Sequence, residues 1–382
     1  MPLLSKKNKN IILILLISFT INSFGYLMAT STITDERLYM KEAYFMQRNG
    51  SFPRVYPFLP ILSSMSLTFF GVTKQSFLFI PMLASALTAA LVYLFSLNLY
   101  NDDKRALLSA LILISNPLMI WLSSKQMTEA LFTLMLTATF YLIARENLSL
   151  KQAFLGGFFS LLAYFTKYPG LLLILFMILS LAWIKRPKLL MAFLMPISFL
   201  AFYWTYNSLQ FGTPFPSEEY SLSMAQGLMN INLKLALDIV FKIMLGLTLL
   251  LAYLMPTLIL PIKSLRKKIS YSTLSNLPFF KRSIVLFIPF YSLFHIGYYI
   301  LISLVSQIAW SADHVARYLL PIVPLIVLFA NFPFKKRSWR IAFAIIIMGI
   351  GIILGYYLII YSNVKAQASI PWDDFLSQLT EL

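Results

Sequence analysis

Two adjacent carboxylates, Asp35 and Glu36, follow directly on the first long apolar stretch, in Thr30-Ser31-Thr32-Ile33-Thr34-Asp35-Glu36-Arg37. Thr34 can cap a helix whose dipole the two acids complement. Alternatively, one acid can act as general base on an acceptor hydroxyl, or the pair can hold a divalent cation. The two readings are compatible, because a helix terminus is a rigid mount for a reactive group. Glu129 opens another apolar segment after Ser123-Ser124-Lys125-Gln126-Met127-Thr128. Lys125, four residues earlier, is its expected ion partner, yet an acid near membrane depth is costly and equally suggests a binding role. Two cations stand out. Lys167 is the only charge in a tight turn between two apolar stretches, and Arg317 follows Trp310-Ser311-Ala312-Asp313-His314. Each reads as an interfacial anchor, Arg317 with Asp313 as a partner, or as a phosphate contact, Lys167 as a point charge and Arg317 as a bidentate fork. His314 could assist the same ligand. His295, inside an apolar stretch, reads as a hydrogen-bonded core residue, and Asp238 and Lys242 as a neutralising i, i+4 pair.

The elements that must position these groups are membrane helices. Of 382 residues, 59% are hydrophobic and 12% charged, with a mean hydropathy of +0.77. Soluble chains carry about 25% charged residues, so a water-soluble enzyme is excluded and a polytopic, all-α membrane protein is expected. Spans are expected near 11–29, 77–99, 106–122, 128–144, 153–166, 168–184, 189–207, 236–262, 284–308, 318–333 and 341–361. That makes about eleven in one domain, 1–361. The first external loop, 30–76, should carry juxtamembrane helices, one of them the proline-opened 56–70. In the tail, 362–382, Trp372, Phe375, Leu376 and Leu379 have amphipathic helical spacing, which predicts a short helix on the outer surface.

Charge sets the orientation. The formal net charge is +17, from 31 Lys and Arg against 14 Asp and Glu. With the N-terminus cytoplasmic, the inner segments collect twenty basic residues against Asp102, Asp103 and Glu146, while everything else sums to zero. Such a split is the positive-inside pattern rather than a nucleic-acid groove, and the Lys263 to Lys268 run fits an anionic-lipid patch. Asp35, Glu36, Glu129, Lys167 and Arg317 all fall on the outer, extracellular or luminal, side. The chain has no cysteine and two histidines, so thiolate chemistry and histidine-rich metal clusters are excluded. It also has no Walker, GxGxxG or HExxH motif. No cofactor is called for beyond a divalent cation that Asp35 and Glu36 could hold.

The order of these motifs resembles the GT-C superfamily of membrane glycosyltransferases, in particular the protein O-mannosyltransferase and aminoarabinose transferase group. The likeness runs from Asp35-Glu36 through Tyr56-Pro57-Phe58-Leu59-Pro60 and Phe70-Gly71 to Glu129. It continues at Ala163-Tyr164-Phe165-Thr166-Lys167-Tyr168-Pro169-Gly170 and at Arg317-Tyr318-Leu319-Leu320-Pro321. The resemblance implies an inverting transferase acting outside the cytoplasm. Its donor would be a sugar on polyprenyl or dolichyl phosphate, and its acceptor a protein, lipid or glycan. It implies Asp35 as base, Glu36 as supporting carboxylate, and Glu129, Lys167, His314 and Arg317 at the donor and its phosphate. No sizeable soluble domain is expected after the last span, which disfavours transfer of a whole oligosaccharide and leaves transfer of a single sugar. Two other readings stay open at this point: a lipid-linked-sugar flippase or transporter, and a non-catalytic subunit of a membrane assembly. Because the chain lacks cysteine, its sidedness is directly measurable. A single cysteine introduced at Ser51 should react with a membrane-impermeant maleimide added outside; labelling only after permeabilisation would reverse the orientation.

Overall fold

The structure is a computed structural model that describes residues 5–32, 34–53, 56–145, 147–214, parts of 235–248, 279–306, 312–329, 337–365 and 370–381. Several expectations therefore lie outside the described residues: Glu146, most of 236–262, the Lys263 to Lys268 run, and the side chains of Asp313 and His314.

Helix α1 (Lys6–Met28) starts where the Ser5 hydroxyl accepts the Asn8 N–H. A two-residue strand, β1 (Ser31–Thr32), leads into α2 (Thr34–Asn49), whose first turn carries Asp35 and Glu36. With α3 (Phe58–Phe70), α2 supplies the juxtamembrane pair expected of the first loop. Next come α4 (Lys74–Tyr100), α5 (Asp103–Ile114) and α6 (Pro117–Ser123). A bend of 58° separates α5 from α6. It has a local cause: the Asn116 side chain takes the N–H groups of Leu118 and Met119, and Pro117 restarts the helix at its first position.

Helix α7 (Thr128–Ile143) is buried on nearly every side, packed against α4, α8 (Leu150–Thr166) and the turn at Leu320–Ile322. A helix apolar all round belongs in the centre of a bundle. A reciprocal Ser149–Gln152 capping box opens α8. The remaining helices are α9 (Gly170–Trp183), α10 (Pro187–Ile197), α11 (Phe199–Phe211), α12 (Phe279–Ser306), α13 (Ala312–Leu319), α14 (Val323–Val327), α15 (Arg337–Lys365) and α16 (Trp372–Glu381).

Among the described residues five helical stretches are long and apolar enough to cross a bilayer: α1, α4, α10 with α11, and the apolar parts of α12 and α15. Counting α5 with α6 as one bent span makes six. Length alone thus does not reproduce eleven spans. Helices α7 and α9 have 16 and 14 residues, and at about 1.5 Å per residue they fall short of a hydrocarbon core of about 30 Å.

The tail forms its helix, but the apolar face of that helix meets protein. Strand β2 (Ile370–Pro371) pairs antiparallel with β1, Ser31 opposite Pro371 and Thr32 opposite Ile370. The Asn363 amide donates to the Met28 carbonyl at 2.7 Å. Trp372, Phe375 and Leu379 then pack with Met40, Ala43 and Tyr44 of α2, Leu67 of α3, and Phe77 and Leu78 of α4. At the opposite end of α1, Asp103 meets Lys6 at 2.8 Å and accepts from Asn10 and Tyr93. Phe375→Ala should cost about 3 kcal/mol, read from denaturant unfolding in detergent, with earlier protease cleavage near residue 370.

Candidate functional site

The doublet Asp35–Glu36 divides between two clusters, since neighbours on a helix point about 100° apart. Glu36 is fully buried. It accepts the backbone N–H of Gln126 at 2.8 Å, and its other oxygen is 3.7 Å from the Lys125 ammonium. Lys125 also donates to the Ser31 carbonyl, and the Gln126 amide to Ser63 of α3. In the same turn Ser123 donates to the buried Asn22 of α1 at 2.8 Å. Glu36 thereby fastens α2 to the α6–α7 turn.

Asp35 faces the second cluster. Its side chain is 52% exposed, and one oxygen lies 3.4 Å from the Arg317 guanidinium. Arg317 turns its Nε and a terminal nitrogen onto Glu129 Oε1 at 3.1 and 3.0 Å. The same oxygen accepts from Lys167 at 2.8 Å. Glu129 is 1% exposed in its side chain, so this is a charge-assisted junction away from water. Lys125 is thus not the partner of Glu129, because α7 begins only at Thr128 and Lys125 lies in the preceding turn.

The turn that presents Lys167 has its own local logic. Helix α8 ends at Thr166, Lys167 is extended, and α9 begins within four residues. The Gly170 N–H donates to the Lys167 carbonyl at 2.9 Å. A Cβ at Gly170 would sit 2.2 Å from the Tyr164 backbone nitrogen, so only glycine lets the turn close against α8. Burial lowers the Lys167 pKa below the ordinary lysine value, the Glu129 carboxylate opposing that shift and the Arg317 charge adding to it. The Glu129 carboxylate thus lies between two buried cations, with the half-exposed Asp35 also against Arg317.

A cavity of about 240 Å³ begins at Lys167 and is lined by Tyr56, Tyr168, His295, Tyr298 and Tyr318 among others. The Lys167 ammonium stands 4.4 Å from the centre of the Tyr318 ring. Tyr39, one turn along α2 from Asp35, meets Tyr56, which meets Tyr168 edge-on at 5.0 Å. Burial first, then Glu129 and Asp35, push the Tyr39 pKa well above its usual value, so it stays a neutral phenol.

The structure therefore gathers Asp35, Glu129, Lys167 and Arg317, and sets Glu36 apart in the neighbouring cluster. His314 belongs to α13, but its side chain lies outside the described residues. The tyrosines and His295 are the lining that the charged motifs did not announce. Tyr168 and Tyr318 do stand beside the motif cations, and that adjacency was the available signal. His295 is buried, as expected, but neither ring nitrogen has a hydrogen-bond partner, which corrects the expected hydrogen-bonded core residue. Asp238 and Lys242 pair as expected, at 3.2 Å. Among the described residues no group of three or more His, Cys, Asp or Glu side chains gathers as a metal site. Glu36 turns to Lys125 and Gln126, and Asp35 to Arg317, so the two carboxylates face different clusters. Glu129→Gln should destabilise the fold by about 3–5 kcal/mol, since it strands two buried cations; a loss under 1 kcal/mol in detergent unfolding would contradict the junction.

Known proteins share this architecture. Residues 53–205 match the family of dolichyl-phosphate-mannose-protein mannosyltransferases. The structure superposes on ArnT from Cupriavidus metallidurans in the apo state with a TM-score of 0.59 at 11% identity, covering 94% of this chain and 78% of ArnT. For the same protein bound to undecaprenyl phosphate the TM-score is 0.60 at 11% identity, covering 92% and 76%. A weaker likeness, with a TM-score of 0.49 at 14% identity and covering 95% and 55%, is to the Archaeoglobus fulgidus oligosaccharyltransferase tethered to an acceptor peptide. No curated protein matches by sequence. The chain thus shares the fold of ArnT, and its residues 53–205 match the dolichyl-phosphate-mannose-protein mannosyltransferase family.

Proposed function

We propose that the chain transfers a sugar, with inversion, from a polyprenyl- or dolichyl-phosphate donor to an acceptor on the extracytoplasmic face. The observation that carries this reading is the ordered run Asp35–Arg317–Glu129–Lys167, half-exposed at the Asp35 end and opening on an aromatic cavity at the Lys167 end. The undecaprenyl phosphate bound to the ArnT that shares this fold supports a lipid-phosphate donor.

The chemistry needs little more. Asp35 takes the proton from the acceptor's nucleophilic O–H or N–H group. That atom bonds to the anomeric carbon as the bond from carbon to phosphate oxygen breaks on the opposite side. The electron pair leaves with the lipid phosphate, whose charge Lys167 and Arg317 neutralise. Glu129 takes no proton; it holds both cations in place before the phosphate arrives, so little reorganisation is needed. Lys167 suits a point contact and Arg317 a forked one. The acceptor, whether protein, lipid or glycan, approaches from the exposed side of Asp35.

The positive-inside charge pattern supports the sidedness. The tail and the first loop, joined through β1 and β2, lie at the same end of the molecule as the site. Transport or flipping would need ions along a path through the bilayer. Among the described residues the buried ions instead cluster where helices end.

Asp35→Asn in the purified protein should lower turnover by about 10²–10⁴-fold in a transfer assay with a radiolabelled polyprenyl-phosphate sugar, while binding of that lipid changes little. Full turnover in the variant would remove Asp35 as base.

A further inference from the structure

His295 is a buried imidazole that the reaction above does not use. It is 3% exposed, sits on α12, and lines the cavity that starts at Lys167. Its ring lies nearly parallel to Tyr318, at 11° with centroids 5.7 Å apart, and 4.2 Å from the Tyr291 ring centre. Packing therefore fixes the plane of the ring, yet neither Nδ1 nor Nε2 has a hydrogen-bond partner. Buried polar side chains in native proteins are nearly always satisfied, so such an exception calls for an explanation. An apolar ring would fill the same space without that cost. What the imidazole adds is one donor and one acceptor at the wall of a cavity otherwise rich in tyrosine faces.

Size narrows what that cavity can hold. At about 240 Å³ it lies below the ~300–1,000 Å³ of sites for drug-sized ligands, which suits one sugar ring and not an oligosaccharide. Aromatic faces cover the C–H side of such a ring, leaving its hydroxyls to be read by the few polar groups present.

We propose that His295 is the residue that selects the donor's sugar: with the lipid phosphate at Lys167, the sugar ring enters the cavity and the His295 imidazole hydrogen-bonds one of its polar substituents. This rests on the lipid-phosphate reading above, and the test separates the two. Full-length protein in detergent is titrated by thermal shift, in which a ligand of the folded state raises Tm by mass action. The probes are sugar-free undecaprenyl phosphate and undecaprenyl phosphate carrying mannose, glucose, galactose or a pentose. Wild type should prefer one sugar-bearing lipid over the bare one. His295→Phe keeps the stacking, so it should erase about tenfold of that preference, the size of one net hydrogen bond. It should leave affinity for the bare lipid unchanged and leave the ligand-free Tm equal or higher. His295→Gln should retain part of the preference.

An equal loss for bare and sugar-bearing lipid would mean that the imidazole serves the phosphate, and would overturn the proposal. So would an unchanged preference, or a lowered ligand-free Tm with no change in selectivity. If His295→Phe does not fold, monodeoxy sugars on the lipid carry the test with wild type and His295→Gln. A single deoxygenation must then cost wild type more than it costs the variant, and equal costs overturn the proposal. Wild type that binds none of the lipids defeats the donor reading itself; wild type that binds all of them alike defeats only the role of His295.

Discussion

One oxygen atom organises this molecule. Glu129 Oε1 accepts from Lys167 and twice from Arg317, and those three residues come from α7, the α8–α9 turn and α13. A carboxylate taken out of water is tolerable only if paired, and two cations brought together repel unless an anion lies between them. Each partner therefore needs the other two. That mutual need fixes the end of the central helix against two elements distant in sequence. The fit of α8 against α7, the closed turn at Gly170 and the burial of α13 all follow from where this junction must sit.

The second cluster does quieter work. Glu36, Lys125, Gln126 and Ser63 bind α2 and α3 to the α6–α7 turn, so the helix that carries Asp35 is held to the base of the helix that carries Glu129. Two neighbouring acids thus part company: Glu36 is spent on rigidity, and Asp35 keeps an open side. The proposed role of Asp35 as a base would draw on both, since its geometry would depend on a mount held to the rest of the bundle.

Composition and charge made the membrane class legible, because hydropathy and the placement of Lys and Arg are sums over many residues. The family likeness was legible in contiguous motifs, of which those at Tyr56–Pro60, Glu129 and Lys167 fall within the matched residues 53–205. Less legible was anything that depends on where a helix starts. Lys125 and Glu129 have the spacing of partners on one helix, but α7 begins between them, and the pairing passed to residues 38 and 188 positions away. The shape of the spans was equally hidden: the Asn116-Pro117 cap bends the expected span 106–122 into two helices meeting at 58°, and α7 is shorter than a bilayer. The polar vacancy at His295 is invisible to sequence, since hydrogen-bond partners are a property of packing.

The short pairing of β1 with β2 has a consequence for how the protein is made. Residues 31 and 32 emerge early from the ribosome, whereas their partners at 370 and 371 follow every helix of the bundle. Until residues 370–379 are synthesised, the stretch leading into Asp35 lacks its strand partner, and the apolar side of α2 lacks the cover of Trp372 and Phe375. Assembly of the rim beside Asp35 thus waits on that segment, and a chain truncated before residue 370 would carry the charged junction without it.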